Sequence, residues 1–412
     1  MKKRKLRILF LDQYFKTPAE SGGARTYEMA RRWVAGGHEV HVITSSRDEA
    51  FARSPRPSTV DGIVVQSIPV PYSQRMGIVQ RLRAFFKFAW KATVARPGGQ
   101  FDVVVATSTP LTIAIPGVVQ ARRLRAPFVF EVRDLWPELP IAIGALRHPV
   151  LKVAARWLER WAYRNAAGVV ALSPGMRDGV LRVRQDVETV VVPNACDVAL
   201  FKASAEDRAS FRRERPWLEE RALVAYVGTL GKINHVSWLV DVAKELADVA
   251  PEARVLIVGD GNDREAVVAR ARELGVLGAN LHIESTVSRD QTPSILAGAD
   301  MACSLFADIP EMQANSANKF FDALAAGRPV LLNYGGWQAD LVRDAGAGLV
   351  LWRKSPRETA EAIARALSDA SWLAAAGEGS ARLGRERFDR DVLSATFLRF
   401  LQRVVDERTT VT

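Results

Sequence analysis

Lys319 and Asp322 stand three residues apart in Asn318-Lys-Phe-Phe-Asp-Ala-Leu-Ala-Ala-Gly-Arg-Pro-Val330, directly after Ser316. Residues at this spacing share a helix face. Good helix formers surround them, and Asn315 or Ser316 suits the N-cap. Gly327 is placed as a left-handed stop, and Pro329 forbids continuation. Val330-Leu-Leu332 is an apolar run short enough for a buried parallel strand. Lys319 thus falls at a helix N-terminus, where free N–H groups and partial positive charge already favour an anion. A phosphate fits there, and the Asp322 carboxylate, one turn further in, can accept hydrogen bonds from a ribose diol. The same residues also suit an ordinary αβ unit with a solvated lysine and aspartate.

The elements that position these groups repeat along the chain. Leu6–Leu11 reads as a strand, Ser21-Gly22-Gly23-Ala24-Arg25 as a glycine turn, and the next residues to about Trp33 as a helix. Such glycines let the backbone approach a ligand at the helix start, although the pair is neither Gly-x-Gly-x-x-Gly nor a Walker loop. Glu39–Thr44, Val64–Pro69, Val103–Ala106, Phe128–Val132 and Val169–Leu172 follow as β-rich runs separated by helical stretches. That alternation predicts an α/β fold with parallel sheets covered on both faces. Behind the fifth run stands Glu131-Val-Arg-Asp-Leu-Trp-Pro-Glu138, a charged cluster at a strand's carboxyl end, where open α/β sheets carry their chemistry. Arg133 cannot serve as a base at neutral pH. Val224–Val227 and Val255–Val258 open two glycine loops, Gly228-Thr229-Leu230-Gly231-Lys232 and Gly259-Asp260-Gly261. Leu281–Val287 reads as strand and loop, with His282 structural. The charged residues 202–221 read as a linker. Leu393, Phe397, Phe400, Leu401 and Val404 make one stripe on a last helix, about 392–405.

The chain has 412 residues, with 48% hydrophobic and 25% charged residues, which predicts two soluble domains. Its net charge of +11 favours an anionic partner: nucleic acid, anionic lipid or a phosphorylated substrate. Two distant cysteines, Cys196 and Cys303, suggest a reducing compartment without disulfides. No run is apolar for long enough to span a bilayer, and no signal-peptide core follows the basic start. Asp389-Arg390-Asp391 resembles an Asp-x-Asp metal motif, but it precedes a helix and reads as an N-cap. No metal is expected.

The stretch from Asn318 to Val330, with Asn333-Tyr-Gly-Gly-Trp337 behind it, resembles the nucleotide-sugar site of retaining glycosyltransferases of family 4. Within that family it is most similar to bacterial O-antigen and capsule enzymes of the N-acetyl-L-fucosamine transferase type. The likeness extends to Pro193-Asn194-Ala-Cys-Asp197 and to the two glycine loops. The family's usual pair of glutamates seven residues apart falls on Ala314 and Asp322, Thr229 replaces a usual arginine, and Arg133 stands about where many relatives carry histidine. The resemblance implies the GT-B fold: two Rossmann-like domains whose parallel sheets face a central cleft, with a C-terminal helix returning to the first domain. The domains would be 1–200 with 385–412, which takes the acceptor, and 205–384, which takes the nucleotide-sugar. It implies donor binding by Gly22, Gly23, Lys232, Gly259, Asp260, Val287, Ser316, Asn318, Lys319 and Asp322. The chemistry would fall to Glu131, Arg133, Asp134 and Lys319, with Glu138 a further candidate for sugar hydroxyls or acceptor placement. The reaction implied needs neither cofactor nor metal. It moves a sugar, N-acetylated amino or deoxy, from a UDP-sugar to a polyprenyl-diphosphate-linked glycan on the cytoplasmic face of the membrane. A UDP-sugar 2-epimerase on the same fold and a basic nucleic-acid-binding protein are the rival readings; no recognised nucleic-acid motif supports the second.

Residues 75–96 contain Arg75, Arg81, Arg83, Lys87, Lys91 and Arg96 and no acid. Leu82, Phe85, Phe86, Ala89 and Trp90 interleave at helical spacing, a composition that suits a helix in the headgroup layer. Arg81, Arg83, Lys87, Trp90 and Lys91 are therefore expected at the membrane and its acceptor. An ordinary sheet-covering helix is the alternative.

Overall fold

The computed structural model describes residues 4–17, 24–46, 57–72, 76–202 and 204–411. These form two compact units. Unit 1 runs to Pro193 and resumes at Asp391, while unit 2 is Asn194–Arg390.

In unit 1 the described strands are β1 (Arg7–Leu11), β2 (Glu39–Ser46), β3 (Ser58–Val60), β4 (Ile63–Pro69), β5 (Val103–Thr107), β6 (Phe128–Val132), β7 (Gly168–Ala171) and β8 (Thr189–Val191). They pair in the order β3-β4-β2-β1-β5-β6-β7-β8. All pairings are parallel except β3–β4, an antiparallel hairpin closed by Asp61-Gly62, both at positive φ. The expected parallel sheet thus carries one antiparallel edge strand, and Glu131 lies on the sixth strand in chain order rather than the fifth. Successive residues such as Ile8, Leu9, Phe10 and Leu11 are all buried, as a sheet covered on both sides requires. Helices α1 (Arg25–Ala35), α2 (Ile78–Val94), α3 (Ala114–Leu124), α4 (Glu138–Ala142), α5 (Pro149–Asn165) and α6 (Pro174–Val183) connect the strands. Phe88 and Ala92 of α2, Val118 of α3 and Tyr163 of α5 all pack on Leu9, Leu11, Val104, Ala106, Phe128 and Phe130. These strand residues alternate along their strands, so the three helices share one face of the sheet.

Unit 2 holds a six-stranded parallel sheet, order β11-β10-β9-β12-β13-β14. Its strands are β9 (Leu223–Val227), β10 (Arg254–Val258), β11 (Leu281–Glu284), β12 (Met301–Ser304), β13 (Val330–Leu332) and β14 (Gly348–Val350). Its helices are α7 (Ala205–Arg213), α8 (Ser237–Val249), α9 (Arg264–Glu273), α10 (Thr292–Gly298), α11 (Asn318–Ala325), α12 (Trp337–Ala345), α13 (Pro356–Ser368) and α14 (Ala370–Arg387). The stretch expected to be a linker is not one. It contains α7, whose Phe211 is buried and whose Arg208 and Arg212 both hold Asp300. The break between units falls at Pro193–Asn194 instead.

The last helix, α15 (Arg390–Val411), returns the chain to unit 1. Phe397, Phe400 and Leu401 are buried there, and Trp33 Nε1 donates to Ser394 O. A Cβ at Gly168 would sit 2.6 Å from the Phe400 ring, so β7 accepts this helix only as glycine. Among the described residues no helix is long and apolar enough to cross a membrane.

Candidate active site

In unit 2 the two glycine loops that follow β9 and β10 are laced together. Gly228 N–H donates to Val258 O at 2.9 Å, and Leu230 N–H to Asp260 O at 2.9 Å. A Cβ at Gly259 would lie 1.9 Å from Gly228 O, and one at Gly261 2.1 Å from Leu230 O. Only glycine permits so close a backbone approach. Lys319 lies over this pair: a Cβ at Gly228 would meet its Cδ at 2.8 Å. Its ammonium stands 5.4 Å from the ring centres of both Tyr226 and Phe306. Phe306 is itself held by its N–H bond to Asn333 Oδ1 at 2.9 Å. Burial pushes the Lys319 amine down to about 8, with Asp322 pulling the other way. At neutral pH it therefore remains a cation, one poorly hydrated and poised for an anion.

Helix α11 begins at Asn318, and its N-cap is Ala317, which has no side-chain acceptor. This corrects the expected cap at Asn315 or Ser316. Asn315 Oδ1 instead accepts from Ala317 N–H at 3.0 Å, while Ser316 Oγ accepts from Asn194 N–H at 3.0 Å. No side chain caps the helix start beside Lys319. Gly327 ends the helix at φ 60°, as its position predicts. Trp337 is partly buried. Its Nε1 donates to Asn315 O at 2.7 Å and its ring packs on Phe321 and Phe388.

Asp322 is buried, and both its oxygens are engaged. Arg289 forks onto it, Nη1 to Oδ2 at 2.5 Å and Nη2 to Oδ1 at 2.6 Å. The carboxylate expected to accept from a ribose diol is thus already held by Arg289, which takes one lone pair on each oxygen. Arg289, stacked 5.1 Å over the Phe201 ring, was not legible as a site residue. Lys232 is exposed at the start of a short 3-10 turn and makes no ion pair among the described residues. Asp260 caps its own loop, accepting from Gly261 N–H at 2.8 Å. Val287 packs partly buried on the Leu223 cluster. His282 stacks on Trp217 at 3.7 Å, the structural place expected of it.

In unit 1, polar groups gather at the carboxyl ends of β1, β5 and β6. Arg25 Nε binds Glu131 Oε1 at 2.9 Å, and Arg25 Nη2 donates to Val192 O at 2.7 Å. Glu131 is 1% exposed and Arg25 4%, so Glu131 is a buried counter-ion and not a reachable acid. Asp134 accepts from Thr109 Oγ1 at 2.8 Å, and Arg133 N–H donates to Ser108 Oγ at 3.0 Å. Burial raises the carboxyl pKa of both Asp12 and Asp134, and the Arg133 charge opposes it in each. Two buried carboxyls beside a half-buried guanidinium make a polar cluster suited to hydroxyl groups. Gln13 is fully buried, and neither amide atom has a partner among the described residues. Asp12, Gln13 and Arg25 were missed in the sequence, although the first two directly follow β1 and Arg25 directly follows the glycine turn. Gly22 and Gly23 lie outside the described residues, as does Arg75. Among the described residues no group of three or more His, Cys, Asp or Glu is placed to hold a metal ion.

On α2 the expected stripe splits. Phe85, Phe88 and Ala89 face the core, while Phe86 and Trp90 are 56% and 70% exposed. Arg83 and Lys87 are exposed, Arg81 Nε turns back to Met76 O, and Lys91 Nζ reaches Pro69 O at 3.4 Å.

Two family models match the chain: a glycosyl transferase 4-like domain over residues 22–195, and glycosyl transferases group 1 over 207–383. The chain is a glycosyltransferase. This glycosyltransferase is 26% identical over 238 residues to the alpha-D-kanosaminyltransferase of Streptomyces kanamyceticus, covering 57% of its own length and 60% of the relative. It is 24% identical over 389 residues to a D-inositol 3-phosphate glycosyltransferase of Nocardioides, covering 88% of its own length and 82% of that protein. Its fold is GT-B, like that of Anabaena HepE, solved in complex with UDP. The TM-score is 0.71 at 17% identity, over 97% of this chain and 100% of the other.

Proposed function

We propose that the enzyme transfers a sugar from a UDP-sugar, with retention and without a metal, to a lipid-linked glycan acceptor. Unit 2 binds the donor and unit 1 the acceptor. The observation that carries this reading is the Lys319 ammonium, poorly hydrated at the uncapped start of α11 and lying against the interlocked glycine loops. In that position a diphosphate finds one full positive charge and a row of N–H donors. Fixed charges and dipoles aimed at developing charge are usually the largest catalytic term. The C1–O bond to the β-phosphate breaks and the C1–O bond to the acceptor forms on the same face. The departing phosphate oxygen takes the acceptor's proton, so no separate base is needed. An N-acetylated amino or deoxy sugar is the proposed cargo, and surface polysaccharide the proposed product. HepE's complex with UDP supports the choice of base, and the exposed rings and cations of α2 support an acceptor presented at an inner membrane face.

A melting screen against UDP, GDP, ADP and TDP tests the donor. UDP at a hundredfold excess over its dissociation constant should add about 2.7 kcal/mol of stability. Chelator should leave that shift in place. No shift with any nucleotide would sink the reading. Transfer to a polyprenyl-diphosphate-linked acceptor, against release of a free sugar without one, separates transferase from epimerase.

A further inference from the structure

The positive charge of this chain belongs to one unit. Residues 1–193 contain 30 Lys and Arg against 15 Asp and Glu, whereas 194–390 contain 24 against 28. Residues 76–164 alone hold 14 basic and 5 acidic residues. None of the five acids is exposed. Asp102 holds Arg4 and the Arg7 N–H, Glu131 holds Arg25, and Asp134 holds Thr109. Glu138 is partly and Glu159 fully buried.

The exposed apolar residues cluster in the same stretch. Eleven large hydrophobic side chains are exposed among the described residues, and nine of them lie on α2 or between Ile143 and Trp157. On α2, Val79, Phe86 and Trp90 recur at i, i+7 and i+11. On α5, Val150, Val153 and Trp157 recur at i, i+3 and i+7, with Trp157 62% and Val153 70% exposed. Each stripe lies opposite its helix's own core side, through Phe88 and Ala92 on α2 and Ala162 on α5. Both helices are therefore apolar on two sides. They cover the same face of the unit 1 sheet, with α3 touching both, so the two outer stripes look out from one side of the unit.

We infer that this side of unit 1 docks on an anionic phospholipid surface at two points, α2 and α5, and not through α2 alone. The inference deepens the lipid-linked acceptor reading and rests on it for its purpose. Charge complementarity selects the occupant: cations surround both stripes, Arg83 and Lys87 on α2, Lys152, Arg156 and Arg160 on α5, and no exposed acid interrupts them. A second copy of the same surface would oppose cation to cation. Tryptophans beside Lys and Arg suit the boundary between headgroups and acyl chains. Two separated contacts also fix the orientation of the unit on a plane, which one helix cannot.

Sedimentation of the full chain with phosphatidylcholine vesicles, with and without phosphatidylglycerol, tests this. Each Lys or Arg near an anionic leaflet contributes about 1 kcal/mol, roughly fivefold in partitioning. The triple variant K152Q/R156Q/R160Q should therefore lose about a hundredfold on anionic vesicles. V153S/W157S and F86S/W90S should each weaken binding, and their combination should abolish it. Variants on α5 that bind like the wild type while F86S/W90S loses binding would overturn the two-point contact and leave a single-helix anchor. Equal binding to neutral vesicles, or none to anionic ones, would overturn it too. So would a wild-type dimer in solution that W157S dissolves. The UDP melting shift, expected unchanged in every variant, reports folding. Its absence from the wild type would sink the donor reading without touching the vesicle result.

Discussion

Lys319→Met should stabilise this protein while disabling it. The substitution keeps the chain length against Tyr226 and Phe306 and removes only the charge. Burial lowers the amine from 10.5 to about 8. Each pKa unit corresponds to 1.36 kcal/mol, so holding the cation in place costs about 3 kcal/mol before solvent screening, and about 1–2 kcal/mol after it. Methionine avoids that cost. The sign follows from proton linkage: the unfolded chain binds the Lys319 proton more tightly than the folded one. The penalty is therefore fully present below about pH 8 and fades as pH rises towards 10.5. Urea midpoints of the wild type and variant should differ most at pH 7 and draw together as pH rises from 8 towards 10.5. Turnover should fall by about 10²–10³, the scale of losing one donor to developing negative charge. A variant less stable than the wild type at pH 7, or one that retains wild-type rates, refutes the reasoning.

Arg289→Gln should cost about 3–5 kcal/mol in urea unfolding, because it strands the buried Asp322 carboxylate, and Asp322→Asn beside it should recover part of that; a cost under about 1 kcal/mol would mean that the fork is ornamental. Gly259→Ala drives a Cβ to 1.9 Å from Gly228 O and should cost more than about 3 kcal/mol, whereas Gly275→Ala, at φ 69° with no atom near, should cost only about 1 kcal/mol. Comparable losses at the two glycines, read by urea midpoint, would contradict the close approach of the two loops. UDP affinity, measured calorimetrically, should weaken towards tenfold per pH unit above about 8, as Lys319 gives up its proton; a flat profile to pH 10 would remove Lys319 from the phosphate.

What was legible in the sequence was whatever repeats locally. The apolar runs marked most strands, the Phe397–Leu401 stripe marked the last helix, and Gly327 marked the end of α11. The short strand β3 escaped although its Asp61-Gly62 turn is a strong hairpin signal, because only three residues pair there. The stretch 202–221 escaped for a different reason: charged residues suggest solvent, yet Arg208 and Arg212 fork onto Asp300 and the last carbonyls of α10. Pairings such as Arg25–Glu131, 106 residues apart, and Arg289–Asp322, 33 apart, have no period and no spacing rule. They decide whether a carboxylate is free to act, so the residue types at the site were readable while their partners were not. On α2 one periodic stripe fed two destinations, because a composition of rings and cations does not say which rings face the sheet.

The last 21 described residues complete a body that the first 193 began. Among the described residues unit 2 is one unbroken length of chain, finished at Arg390, whereas unit 1 waits for α15 to cover Trp33 and Gly168. A ribosome adds about 5–20 residues per second and domains fold as they emerge. The later-encoded domain therefore has all its residues first, and the earlier one stays open along its α1 and β7 face until α15 has emerged. A stop codon near residue 390 would spare unit 2 and leave unit 1 with a bare apolar wall, the kind of surface that chaperones hold.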